Sequence, residues 1–387
     1  MEGAPSRRRD WANLHQSVLH WISEKLKSIT DFVRFRAVCS PWRSAALPKP
    51  RHLPLQLPWL MIGHKLNADK NDDGMRLFYD LWKCKMHKLH LPDIIDKGCC
   101  ATHRGWLLVI ASEGREVFLL NPLTQARIDL PPFTTQVRHL GEDWDAPRHD
   151  TPHRFSHYHD FQQSKLILSS DLTNPDCLIT VFLYGLVIFC YRVEEPCWTM
   201  VNTPRNNYLE DVTYYNGRFY LLYDEGSEAD IVIIDSDKPN EKIPYKFKLK
   251  LGNIRRFLEG QSGVYLVGVK FLTGEGFEDN YELYQFQDQP MKLKHITDKS
   301  NTTIFNTNNF RFLTVCSDDW DNLGGGSMYI VMLMPVYEGK DVVGHRYSIW
   351  AIKLQDGKVK RRWDLNEAPL QQVGINETVM WFQPSLV

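Results

Sequence analysis

Four histidines crowd the stretch "RHDTPHRFSHYHD": His149, His153, His157 and His159, with Asp150 and Asp160 beside them. Imidazole and carboxylate are ordinary zinc ligands, and such a set with one open position would support metal-assisted hydrolysis. His149, His153 and His157 stand four apart, the spacing that puts side chains on one face of a helix. Pro152 opposes that helix, because it lacks the amide that a helix interior uses. The segment therefore reads as a polar loop, and we expect neither a resident metal nor a cofactor. A metal-assisted hydrolase is the less favoured alternative. The imidazoles also titrate near neutrality, so a pH response is a milder use of the same cluster.

Two acidic stretches come next. "NADKNDDG", Asn67 to Gly74, alternates Asp69, Asn71 and Asp73 before a glycine, like a calcium loop, but the closing Glu is missing. "DDWDNLGGGS" sets Asp318, Asp319 and Asp321 ahead of three glycines, without the Lys-Ser/Thr pair of a phosphate loop. Serine elbows, His-Glu zinc helices and dinucleotide fingerprints are missing throughout. The eight cysteines, Cys39, Cys84, Cys99, Cys100, Cys177, Cys190, Cys197 and Cys316, form no C-x-x-C pair. They read as free, mostly buried thiols. These residues point to a binding protein rather than an enzyme.

Composition narrows what it binds. The formal net charge is -1 over 387 residues, so there is no global basic footprint for nucleic acid. No run reaches the roughly 18 apolar residues of a membrane span. The N-terminus, with Arg7-Arg8-Arg9, reads as a basic tail over residues 1–10 without an apolar signal core. The expected location is cytoplasm, nucleus or both.

The elements that must do the binding fall into two textures. Leu14, Val18, Ile22 and Leu26 stand four apart, with Leu19 filling the same stripe, which predicts a helix. A second helix should start after Thr30 or Asp31 and carry Phe32, Phe35 and Val38. Ser40-Pro41 should open a third that carries Trp42. Three short helices make a very small core, which gains stability by packing on something else.

Past residue 50 the chain reads as strands in units. "GWLLVIASEGREVFLLNPLTQARIDLPP" and "DVTYYNGRFYLLYDEGSEADIVIID" share one shape, strand, turn, strand, turn, strand, and Asn216-Gly217 signals a type I′ hairpin. "CLITVFLYGLVIFCY", Cys177 to Tyr191, reads as two buried strands about a turn. Units recur roughly every fifty residues, the spacing of kelch-like propeller blades. We expect an all-β propeller of five to six blades over 51–387. "TVMWFQP", Thr378 to Pro384, should pair with strands before residue 100 and close the ring. An open β-sandwich pair is the alternative.

Both textures carry a family resemblance. "LHQSVLHWISEKL" and "DFVRFRAVCSPWRSAA" resemble an F-box, placed over residues 11–50. The pattern is met at Leu14, Val18, Leu19, Ile22, Leu26, Asp31, Phe32, Phe35, Val38, Cys39, Trp42 and Arg43. His15 stands where the family has Pro. "CCATHRGWLLVI", "LLNPLTQARIDLPP", "PCWTMV", "DVTYYNGRFYLL" and "WFQPSL" are similar to plant F-box proteins whose C-terminal part is domain of unknown function 295. The resemblance implies a Skp-type adaptor, and through it a cullin, docked on the F-box. It also implies a substrate-receptor role in a ubiquitin ligase, with an unknown target protein on the propeller. Leu14, Val18, Leu19, Ile22, Leu26, Phe32, Phe35, Val38, Cys39, Trp42 and Arg43 are then the adaptor-binding or F-box core residues. A scaffold acting without ubiquitylation is the alternative, which the His15 departure would favour if adaptor affinity were weak.

Overall fold

The computed structural model describes residues 11 to 386 apart from connecting segments, the longest being 63–72, 141–163, 270–280, 317–325 and 365–378. Three helices lead: α1 (Gln16–Lys25), α2 (Ile29–Ala37) and α3 (Ser40–Ala45). Behind them, six antiparallel-based sheets form the six blades of a propeller. The ring, not the sandwich, is what the strands build.

Blade one combines Trp59–Ile62, Met75–Asp80 and Lys85–His90 with the last strand of the chain, Val379–Phe382. That last strand pairs antiparallel with the first, Trp59 opposite Phe382 and Ile62 opposite Val379. It also touches Thr302–Thr307 of blade six and Cys99–His103 of blade two. The predicted closure is therefore present, and it removes the free edges an open sheet would leave. A short tail extends the clasp. Asn121 donates from Nδ2 to the Ser385 carbonyl at 3.0 Å, while its Oδ1 accepts from the amides of Leu123 and Thr124. A Cβ on Gly105 would run into Ser385, and Gly105 also has φ +84°, so glycine is required there on both counts.

Blade two is Cys99–His103, Trp106–Ala111, Glu116–Leu120 and Arg127–Leu130. Blade four is Leu209–Tyr215, Arg218–Glu225, Glu228–Asp235 and Lys242–Phe247; blade five is Ile254–Gly260, Gly263–Val269, Tyr281–Asp288 and Met291–His295. In blade four Asn216 and Gly217 have φ of 48° and 78°, the conformation a type I′ hairpin needs. Blades three and six depart from a plain kelch-like meander, because each has five strands and one parallel pair. In blade three Arg138–Leu140 runs parallel to Thr199–Val201, beside Ser164–Leu168, Leu178–Leu183 and Val187–Arg192. In blade six Thr302–Thr307 runs parallel to Ser327–Glu338, with Phe312–Cys316 on one side and Asp341–Lys353 and Val359–Asp364 on the other.

The cores lie between blades. Each sheet is covered on both faces, so its middle strands read as continuous apolar runs rather than alternating ones. Leu178–Leu183 is buried at every position. Neighbouring innermost strands are also stitched by side chains. The Thr102 hydroxyl donates to the Trp381 carbonyl at 2.8 Å, and His103 Nδ1 accepts from the Leu168 amide at 3.0 Å. Lys165 donates to both oxygens of the buried Asp211 carboxylate, at 2.9 and 3.1 Å. Asp211 also accepts the Phe257 amide at 2.7 Å, and Arg256 pairs with Glu210 at 3.0 Å. A bulge between Leu209 and Asp211 makes this possible, because the extra residue lets two successive acids serve strands on both sides.

Among the described residues the cysteines are free. Cys99, Cys100, Cys177 and Cys190 are buried, Cys39 and Cys197 partly so, and Cys84 is exposed. Burial pushes the Cys190 thiol up to about 12, so it stays protonated and packs as a small apolar group.

Candidate functional site

His15 precedes α1 and takes the N-cap position, its Nδ1 accepting from the Ser17 amide at 3.3 Å. The residue that departs from the F-box pattern thus satisfies one of the amides a helix start leaves open. α2 begins at Ile29, earlier than Thr30 or Asp31 would set it. The reason lies in distant contacts. Ser28 occupies the cap position and its carbonyl accepts the Phe32 amide, but its side chain makes no cap bond, and its hydroxyl accepts from Lys83 Nζ of blade one at 2.8 Å. Gln56 supplies the cap instead. Its Oε1 accepts the Ile29 amide at 3.1 Å, and its Nε2 donates to the Lys27 carbonyl at 3.2 Å. Pro41 opens α3 as expected, and Arg43 closes α2 by donating to the Arg36 carbonyl at 3.2 Å. Trp42 stacks at a tilt on Phe35, centroids 4.6 Å apart, and donates to the Trp11 carbonyl at 2.9 Å.

The module has two faces. Leu19, Ile29, Phe32, Phe35, Ala45 and Ala46 are buried in one cluster with Trp59 and Phe78 of blade one, Phe118 of blade two and Phe382 of the closing strand. The inner face is therefore part of the core between blades one and two. Beside it His87 stacks on Trp59, with centroids 4.5 Å apart and planes 11° from parallel. Burial lowers the His87 pKa below its usual value; Asp80 opposes that, and Lys85, Lys83 and Arg34 of α2 add to it.

The outer face is apolar too. Nine large hydrophobic residues are exposed among the described residues, and six of them belong to this module: Trp11, Val18, Trp21, Val33, Val38 and Leu47. Trp21 is 63% exposed, with Lys25 Nζ 5.8 Å from its ring centroid. Exposed Lys25, Lys27, Arg34 and Arg43 outnumber the acids Glu24 and Asp31 around them. A module this small that shows this much indole and valine to water is built to be covered.

The sequence-predicted residues divide between these faces. Leu19, Phe32 and Phe35 are buried against the propeller; Leu14, Ile22, Leu26, Cys39 and Trp42 are half-buried; Val18, Val38 and Arg43 are exposed. Trp11, Trp21, Val33 and Leu47 are exposed as well and were not among them. Trp21 had a readable signal, since it is a large apolar residue three after Val18, outside the stripe that builds the core. His149, His153, His157 and His159 lie outside the described residues, as do Asp318, Asp319 and Asp321, most of "NADKNDDG" and Cys316's side chain. Asp73, at the end of that loop, accepts the Met75 amide at 2.9 Å. Among the described residues no group of three or more His, Cys, Asp or Glu could hold a metal.

A family model described as the KIB1-4 beta-propeller matches residues 78–356. Two curated proteins of Arabidopsis thaliana are similar over most of the chain. "F-box protein SKIP23" is 27% identical over 295 residues, 70% of this chain and 66% of its own length. "F-box protein At2g17036" is 26% identical over 304 residues, 72% of this chain and 68% of its own length. The match thus spans about two thirds of each relative. These findings bear out the resemblance to plant F-box proteins with a propeller, while the matching family carries the KIB1-4 description rather than domain 295.

Proposed function

Because the chain belongs to the KIB1-4 β-propeller family, we propose that it is the substrate-recognition subunit of a Skp–cullin–F-box ubiquitin ligase. Residues 11–50 serve as the F-box and 51–387 as the propeller that reads a target protein. The outer face of α1–α3 docks a Skp-type adaptor, whose surface should be apolar with acidic neighbours. The chain does no bond chemistry in this reading. It raises the local concentration of a target near the ubiquitin-transfer machinery, in the cytoplasm or nucleus.

One observation carries the proposal: among the described residues, six of nine exposed large hydrophobics sit on a module whose opposite face is already buried. His15, where the family has Pro, caps α1. The test is co-purification with a plant Skp-type adaptor. The intact chain should retain the adaptor. Trp21→Asp with Val38→Asp should lose it while the propeller melts at its normal temperature. Retention by that variant, or no retention by the folded intact chain, would sink the docking role.

A further inference from the structure

The rim of blades five and six is strongly basic. Their outermost strands, Met291–His295 and Val359–Asp364, expose Lys292, Lys294, Lys360, Arg361 and Arg362, and within those two strands Asp364 is the single acid. This stands out on a chain of net charge -1. Lysines on an edge strand have a plain purpose, which is to prevent edge-to-edge pairing. Arg361 and Arg362 go further, because both are held in place. The Arg361 guanidinium lies 4.7 Å from the ring centroid of Trp363, and that of Arg362 lies 5.6 Å from that of Trp350. Successive residues of a strand face opposite sides, so the two guanidinia bracket one edge. A bulge at Lys360, between the pairs Ala351–Arg361 and Ile352–Val359, sets where that bracket begins. Val359 is 47% exposed beside it.

A guanidinium resting on an indole has already lost most of its rotamer freedom, and its N–H fork matches a carboxylate. We propose that the outer strand Val359–Asp364 binds an acidic, extended peptide segment of a partner protein, with carboxylates on Arg361 and Arg362. An extended peptide alternates its side chains to two sides, which fits a bracket with one arginine on each side. Single-stranded nucleic acid fits less well, because it seeks open aromatic faces and here the guanidinia cover them. The site is distinct from the helical module and rests on the receptor reading only for its biological use, which is target capture.

The test is a fluorescence titration of the full chain with a Glu/Asp-rich peptide carrying alternating valines. Its Gln/Asn isostere, single-stranded DNA and phosphatidylserine vesicles are titrated alongside. The acidic peptide should bind and the isostere should not. R361E/R362E should weaken the peptide by roughly tenfold or more, the scale of losing two charge-assisted contacts. R361K/R362K, which keeps charge but not the fork, should fall between. Unchanged binding by R361E/R362E overturns the site, and so does absence of peptide binding at low salt. Equal or tighter binding of DNA or vesicles with the same arginine dependence overturns the peptide assignment. Adaptor capture should survive in R361E/R362E, so loss of peptide with retained adaptor separates this site from the docking reading.

Discussion

A blade of the propeller and the helical module bury their apolar residues in different ways. A blade is covered on both faces by its neighbours, and Leu178–Leu183 leaves nothing exposed. The module covers one face only, with Phe32 fully buried and Trp21 63% exposed. Both are rich in large apolar residues. What separates them is that, among the described residues, the blades bury their apolar faces within the chain, while the module leaves Trp11, Val18, Trp21, Val33, Val38 and Leu47 exposed. An apolar face that the chain does not cover itself is where a second molecule belongs.

The sharpest way to break this contrast is to open the ring. Ending the chain after residue 378 removes Val379–Phe382 and bares the edge of Trp59–Ile62 and the core beneath the module. The truncated chain should lose its cooperative melt and aggregate, which calorimetry and light scattering will show. A truncation that melts normally would mean the closing strand is dispensable.

Phe32→Ala should come next. It opens a cavity in the core shared by α2 and the first two blades, at a cost of about 3–5 kcal/mol. Urea denaturation should show the propeller and the module losing stability together, because they share that core. Asp211→Ala tests the stitched inner ring. It leaves Lys165 without its buried partner and the amides of Val212 and Phe257 without their acceptor, at a cost of about 3 kcal/mol. Val18→Asp on the outer face should change stability by no more than about 0.5 kcal/mol, yet weaken adaptor capture about thirtyfold if it lies at the centre of the interface.

Much of the propeller was legible because its signals are local. Asn216-Gly217, the unbroken run in Leu178–Leu183 and the ~50-residue recurrence each follow from backbone geometry or two-sided burial within a short segment. Ring closure by "TVMWFQP" was legible because an unpaired strand at each end must be paired somewhere. The start of α2 was not, since its cap comes from Gln56 and its Ser28 is occupied by Lys83. Nor were the parallel pairs at Arg138–Leu140 and Thr302–Thr307, because each pairing is long-range and leaves no local mark. The division of the module was hidden for another reason. A helical stripe shows which residues want burial, but not whether the propeller or a partner buries them.

The smallest effect sharpens the junction. His87, on the Lys85–His90 strand of blade one, stacks on Trp59 near Asp80, Lys83, Lys85 and Arg34 of α2, and burial lowers its pKa from the usual value. The folded chain therefore binds fewer protons than the unfolded chain. The stability this contributes is present above about pH 6.5 and is lost as pH falls through the lower folded value. His87→Gln should flatten that part of the pH–stability curve, and an unaltered slope would remove His87 from the account.

The most direct test of the two-faced module is oxidative footprinting of its tryptophans with and without a saturating plant Skp-type adaptor. Trp11 and Trp21 should become protected in the complex, while Trp59, already buried against blade one, should react slowly in both states. Adaptor binding that leaves Trp21 as reactive as in the free protein, or an adaptor that does not bind the folded chain at all, would contradict the claim that this face is made to be covered.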